Sequence, residues 1–345
     1  MRVHLLNNYS MSKARHLIQT GNMPAQHLWG GDGLGDHVTE IVISRGVVDV
    51  DIRWRWLKKV WYAVLHSVGD PLAELLTMTR LQPGDLVYAA DQWSAQGLCW
   101  LSRLGWIRAP IFVLVHHIPA NRLEWSALRG AAGVGALSPI VAAALDSRLK
   151  SKAARAVLLP WGPDLNSSLY LGSVLPARRK WDFVAAGKTN RDYSTLRIAA
   201  REGGLSGIIF DASGATVFSK GIPSALGPRG DYPEVISAMR DAACIAVLLD
   251  DPERLSGLTE MADAIALGVP LLYTRSAHTP YPLQELGAGV ALDRSIEPGQ
   301  LLHEILLMRD GRRATSGIRE LATKYNLERF KRSLLAEFKR LVPVE

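Results

Sequence analysis

From Ser256 to Tyr273 the chain reads Ser-Gly-Leu-Thr-Glu-Met-Ala-Asp-Ala-Ile-Ala-Leu-Gly-Val-Pro-Leu-Leu-Tyr. Ser256, Gly257, Leu258 and Thr259 open a helix. Its first N–H groups lack partners and its dipole end is positive, which together suit a phosphate. A diphosphate could rest on that first turn. Asp263 lies a little over one turn further, on a side from which it could accept hydrogen bonds from a ribose. Upstream, an apolar strand over Asp182–Ala186 runs into Gly187-Lys188-Thr189-Asn190-Arg191-Asp192. Gly187 lets the backbone approach a ligand. Lys188 supplies a point charge and Arg191 a planar fork that matches phosphate. Asn190 or Asp192 caps the next helix. A surface loop with incidental charges is the other reading of this stretch.

The first half holds a second set of candidates. His116 and His117 close the apolar strand Ile111–His116, and an imidazole there can accept or share a proton. A strand-end histidine satisfied by a backbone carbonyl is the plainer alternative. Asn8 and Tyr9 follow the first strand, and Asp91 follows the strand Asp85–Ala90. His27 opens a His-Leu-Trp-Gly-Gly loop rich in glycine. In the second half, Asp211 ends a further strand and could flank the base of a nucleotide. His278–Tyr281 either touches the donor edge or caps the sheet.

Strand-like and helix-like runs alternate from end to end, which predicts parallel α/β sheets. In the first half the strands fall at Val3–Leu6, Glu40–Ser44, Asp85–Ala90, Ile111–His116, Gly133–Leu137 and Ala156–Leu159. Helices fall at Trp54–His66, Pro71–Thr79, Ser94–Leu104, Arg122–Arg129 and Pro139–Leu149. A second series starts at Asp182, and the chain is mostly helical after Glu297. The division this implies is a first domain over 1–170, a linker over 171–180, a second domain over 181–310, and closing helices over 311–345 that pack back across the junction. Ligands of such sheets bind at the carboxyl ends of the strands.

Three segments resemble one family. Asp263-Ala264-Ile265-Ala266-Leu267-Gly268-Val269-Pro270 stands where retaining glycosyltransferases of the GT-B fold (family-4-like, glycosyl transferases group 1) carry "LLEAMALGKPVI". Asp182–Tyr193 looks like the first strand, loop and helix of their C-terminal domain. Leu159-Pro160-Trp161-Gly162-Pro163-Asp164-Leu165 resembles the "lPwGvDl" turn that closes their N-terminal domain, with Gly162 at an unusual backbone angle. The resemblance implies two Rossmann-like domains facing a cleft and transfer of a sugar, with retention, from a nucleotide diphosphate donor. It implies His116, Lys188 and Arg191 as catalytic residues. Gly187, Thr189, Asp211, Ser256, Gly257, Leu258, Thr259 and Asp263 would bind the donor. Asn8, Tyr9, His27, Asp91 and His117 would lie on the acceptor side. No metal or cofactor is implied beyond the nucleotide-sugar co-substrate. The family carries two glutamates eight positions apart. Here the second is Asp263 and the first is Leu255, whose role is lost or passes to Glu253, Ser256 or the backbone. A non-catalytic nucleotide-sugar-binding relative and a sugar-nucleotide epimerase of the same fold are the alternatives.

The 345 residues are 48% hydrophobic and 21% charged, enough for two ordered domains. Two cysteines in apolar segments, Cys99 and Cys244, suit a reducing compartment, and the expected location is cytoplasmic. The net charge of +7 favours anionic partners. No nucleic-acid-binding motif is present, so nucleotides or lipid headgroups fit better. Residues 52–65 alternate tryptophans and cations before an apolar run. That pattern suits either a membrane surface, with a lipid-linked acceptor at the inner face, or a core helix with a basic edge.

Overall fold

The computed structural model describes residues 1–49, 69–149, 156–171, 179–227, 230–312 and 317–343. The 52–65 stretch and most of the 171–180 linker lie outside them. The chain forms two compact units. One comprises Met1–Gln19, Ala25–Trp161 and Glu328–Glu345; the other comprises Thr20–Pro24 and Gly162–Leu327. The first unit therefore ends at Trp161, earlier than the expected boundary, and the chain re-enters it at Glu328.

The first sheet is parallel throughout, in the order β2-β1-β3-β4-β5-β6. Its strands are β1 (Arg2–Leu6), β2 (Glu40–Ile43), β3 (Leu86–Ala89), β4 (Ile111–Val115), β5 (Gly133–Ala136) and β6 (Ala156–Leu158). β3 and β4 are buried at every position, as continuous apolar runs covered on both faces must be. Helices α1 (Met11–Gln19), α2 (Pro71–Met78), α3 (Gln96–Arg103), α4 (Arg122–Leu128) and α5 (Pro139–Leu149) follow successive strands.

The second sheet runs β10-β9-β8-β7-β11-β12-β13. Here β7 is Trp181–Ala186, β8 Gly207–Phe210, β11 Ala242–Val247, β12 Leu271–Thr274 and β13 Gly289–Leu292. These five are parallel, and an antiparallel hairpin, β9 (Ala215–Ser219) and β10 (Ile222–Gly227), extends one edge. That hairpin was not expected. Its turn places Lys220 and Gly221 at φ +48° and +79°, a primed turn without the Asn-Gly or Asp-Gly that announces one. Helices α6 (Tyr193–Glu202), α7 (Tyr232–Arg240), α8 (Leu258–Leu267), α9 (Pro298–Arg309) and α10 (Ile318–Lys324) complete this unit. Asp192 caps α6 by accepting the Thr195 N–H at 3.1 Å.

The last helix, α11 (Leu327–Leu341), belongs to the first unit from Glu328 onward. It buries Phe330, Leu334 and Phe338, spaced four apart on one face. Phe338 meets the rings of Tyr88 and Phe112 at 5.3 and 5.5 Å. Gly162 does not have a positive φ, contrary to expectation. A side chain there would collide with the backbone of Tyr325, and the Leu327 N–H bonds the neighbouring Pro163 carbonyl at 2.9 Å. Asp164 forms the expected turn, accepting the Asn166 N–H. No described helix is long and apolar enough to cross a membrane.

One buried carboxyl joins two helices of the first unit. α3 starts at Ala95 with no capping side chain of its own. Glu74, from α2, supplies one by reaching between Gly69 and Gly97 and accepting the Leu98 N–H at 2.6 Å. Burial pushes this carboxyl up to about 8, against the pull of the Leu98 and Gly97 N–H groups. A folded-state value above the unfolded one means that the folded state holds the extra proton, so stability falls as pH rises. For Glu74 that window runs from about 4 to about 8. Glu74→Gln should flatten that fall in melting temperature between about pH 5 and 8. Glu74→Ala, which strands the α3 N–H groups, should lose about 1–3 kcal/mol by urea unfolding.

Candidate functional site

In the second sheet, neighbouring strands β7 and β11 send their following connections apart, one toward β8 and the other toward β12. Such a switch point opens a crevice at the carboxyl ends. The loop after β7 begins with Gly187 at φ +137°. A Cβ there would lie 2.5 Å from Arg191 Nε, so only glycine fits. Arg191 folds back over it. Its Nε donates to the Ala186 carbonyl at 3.3 Å and its Nη1 to the Thr189 carbonyl at 2.9 Å. Its Nη2 pairs with Glu260 Oε1 at 3.1 Å. Asn190 sits in the left-handed region at φ +56°. Its Nδ2 donates to the Asp251 carbonyl at 2.8 Å and to Ser256 Oγ at 2.9 Å, and its Oδ1 accepts the Asp251 N–H at 2.7 Å. Two loops far apart in sequence, 187–191 and 251–257, are thereby stitched together.

Gly257 takes φ +77° at the N-cap of α8, and no side chain caps this helix. The Met261 N–H is the first to bond back, to the Gly257 carbonyl at 2.9 Å. The N–H groups of the preceding first turn are left directed out of the helix. Lys188 is exposed and makes no ion pair among the described residues. Thr189 is exposed beside it, and Leu258 and Thr259 are half-buried. The structure thus brings Gly187, Lys188, Thr189, Ser256, Gly257, Leu258 and Thr259 to one edge.

Three expectations change. Arg191 is not an uncommitted fork, because Glu260 already balances its charge. Asp263 is 3% exposed and does not face solvent. Its Oδ1 accepts from Tyr170 at 2.6 Å, and Tyr232 donates to both of its oxygens at 2.7 and 2.8 Å. A ribose would have to displace a phenol to reach it. Burial pushes the Asp263 carboxyl up to about 7, opposed by the two phenols. Asp211 is spent on its own turn and on Arg197 at 2.6 Å. Burial opposes its ionisation, but the Ser213 hydrogen bonds outweigh that and hold it below the usual carboxylate range. Leu255 is buried, and Ser256 already accepts from Asn190. His278 and Tyr281 are buried, with Tyr281 against Tyr325 at 5.2 Å.

The first unit has its own switch point, between β1 and β3. Asn8 and Tyr9 follow β1, Asp91 and Gln92 follow β3, and His116 and His117 follow β4. Gln92, absent from the sequence candidates, organises this edge. Its Oε1 accepts the N–H groups of both His116 and His117, at 2.9 and 3.0 Å. His116 Nε2 lies 2.9 Å from the Ala90 carbonyl. A carbonyl only accepts, so Nε2 carries the proton and Nδ1 keeps the lone pair. Burial, and then the neighbouring His117, lower His116 to about 3. It is therefore a neutral hydrogen-bond acceptor, and not a proton acceptor near neutrality.

Trp29, held at φ +53°, brings the rest together. Its ring lies 4.9 Å from those of His116 and Trp161. Its Nε1 donates to the Tyr9 hydroxyl at 2.8 Å, and that hydroxyl donates to the His27 carbonyl. Asn8 is exposed beside them and His117 packs on Trp93 at 5.8 Å. Asp91 is buried with one oxygen on the Trp93 N–H at 2.9 Å. Burial, reinforced by Glu124, pushes it up to about 7. The sequence contains one Asp-x-Asp, Asp49 and Asp51; Asp51 lies outside the described residues, and Asp49 bonds Gly46 and Ser12. Among the described residues no cluster of His, Cys, Asp or Glu could hold a metal ion.

No protein-family model matches the chain, and no curated protein does. Solved structures do. Sucrose-phosphate synthase from Thermosynechococcus elongatus superposes with a TM-score of 0.64 at 13% identity, covering 99% of both chains. An α,α-trehalose-phosphate synthase (UDP-forming) from Burkholderia vietnamiensis gives 0.62 at 11% identity, covering 99% of this chain and 100% of that one. HepE from Anabaena, solved in complex with UDP, gives 0.56 at 15% identity over 98% and 99%. Likeness at such identity carries the fold alone: the chain has the GT-B fold of two Rossmann-like domains.

Proposed function

We propose that this protein is a glycosyltransferase of the hexosyltransferase type. It moves a sugar from a nucleotide diphosphate donor to an acceptor hydroxyl, with retention. One observation carries the reading: the uncapped, positive end of α8 lies beside Gly187 and the uncommitted Lys188 at the switch point of the second sheet. The bond from the anomeric carbon to the diphosphate breaks, and its electron pair stays on the phosphate oxygen. Lys188 and the N–H groups at Leu258 and Thr259 meet the charge that builds there. The acceptor oxygen bonds the anomeric carbon, and its proton leaves with the diphosphate. These groups serve without a resident metal or cofactor. The UDP in the HepE structure supports a nucleotide as the ligand class.

Arg191, Asn190 and Glu260 are positioning residues in this scheme: they hold the two loops in register. Asp263 holds α8 to Tyr170 and Tyr232. On the acceptor side, His116 Nδ1 accepts from a sugar or acceptor hydroxyl, and Asn8, Tyr9, His27, Asp91 and His117 are the further acceptor-side residues. The acceptor class is a glycan, a lipid-linked glycan or a small hydroxyl compound. The reaction belongs to the cytoplasm, with peripheral contact at the inner face of the membrane.

A ligand that binds only the folded state raises apparent stability in proportion to its affinity. In a melting panel of UDP, GDP, dTDP and ADP sugars, one nucleotide should raise the midpoint well above the rest. No shift with any of them would overturn the reading. Lys188→Ala folds normally, because the side chain is exposed, and should lower kcat/KM by roughly a hundredfold, as loss of one charge-stabilising donor does elsewhere. Transfer unchanged in that variant would remove Lys188 from the site. Burial sets both Asp91 and Asp263 near 7, so activity should change between about pH 6 and 8 as these carboxyls gain or lose a proton. Asp91→Asn should remove the part of that change that belongs to Asp91, whereas His116 does not titrate in the range.

A further inference from the structure

The first unit carries a surface that the sugar chemistry does not use. It lies at the amino ends of β3 and β4, opposite the edge that holds His116 and Asp91. Trp106 is 78% exposed and Leu104 is 67% exposed, on either side of Gly105. The turn that presents them is fixed. Gly105 takes φ +79° and the Trp106 N–H bonds back to the Leu101 carbonyl at 2.9 Å. Ile107 next to it is buried, which anchors the turn. On α2, Leu75 and Met78 are 53% and 41% exposed, and their spacing of three puts them on one face. A recess of about 590 Å³ joins Met78 to Trp106, Arg108 and Leu341.

Arg80, Arg103 and Arg108 are exposed and pair with no carboxylate among the described residues. Asp85, the acid that lines the recess, is buried and already bonded to Arg2 and His4 at 2.7 and 3.0 Å. Arg103 donates to Ser126 Oγ at 3.0 Å and keeps its charge exposed. A rigid outward tryptophan among aliphatic side chains, with exposed arginines near it, matches the boundary between headgroups and acyl chains. Two copies docked through this face would set arginines against arginines, which opposes self-association.

We propose that this face docks peripherally on an anionic lipid bilayer. Trp106 and Leu104 enter the interface, and Arg80, Arg103 and Arg108 lie against the headgroup phosphates. The surface stands whether or not the chain transfers sugar. It leaves the carboxyl edge of the same sheet open. Binding of the full chain to vesicles tests it by sedimentation, using phosphatidylcholine alone and phosphatidylcholine mixed with phosphatidylglycerol. The protein should bind the anionic vesicles and ignore the neutral ones, and release as salt rises from about 0.1 to 0.5 M. Trp106→Ala should weaken binding about tenfold with unchanged circular dichroism, since the side chain packs on nothing that folding needs. Arg103→Glu with Arg108→Glu should remove the preference for anionic vesicles. Wild-type binding to neither vesicle would overturn the proposal. So would a Trp106→Ala variant that binds like wild type, or a solution dimer that Trp106→Ala dissociates.

Discussion

The guanidinium of Arg191, wedged over Gly187 and paired with Glu260, is the contact on which the loop edge of the second unit depends. It crosses from the loop after β7 to the first turn of α8. Asn190 repeats the link through Asp251 and Ser256. Gly187 and Gly257 both have positive φ, and a side chain at either would strike a neighbour. The chain thus neutralises one cation to hold the loops and leaves another, Lys188, uncommitted. A phosphate would then meet a preset array of N–H groups, so little reorganisation is needed when charge develops.

Carboxyl groups are handled differently in the two units. Near the second unit's edge, two phenols satisfy Asp263 within the core. In the first unit, Asp91 is buried with a single backbone N–H on one oxygen, and beside it Gln92 arranges two consecutive histidines. Burial dominates both carboxyls and brings them near neutrality, where a small change in surroundings alters their charge. His116 is driven the other way by the same desolvation. One physical cause therefore leaves a neutral imidazole and a protonatable carboxyl at one sheet edge.

The first unit separates its chemistry along the strands. The polar groups collect at the carboxyl ends, where the switch point lies. The exposed indole and exposed arginines collect at the amino ends. Strands of four or five residues set these edges roughly 15 Å apart.

Much of the architecture was legible in the residues. Buried parallel strands are unbroken apolar runs, so Ile111–Val115 and Gly207–Phe210 announce themselves, and Gly268 and Pro270 mark the end of α8. The hairpin at β9 and β10 was not legible, because its turn relies on Lys220 rather than asparagine. The uncapped helix end and the strand-end histidines could also be read directly, since both are local in sequence. What the sequence could not express is which polar atoms are already taken. Arg191 finds Glu260 across 69 positions and Asp263 finds Tyr170 across 93. Hydrogen-bond capacity is exhausted by whichever partner arrives in space, and only tertiary packing determines who arrives.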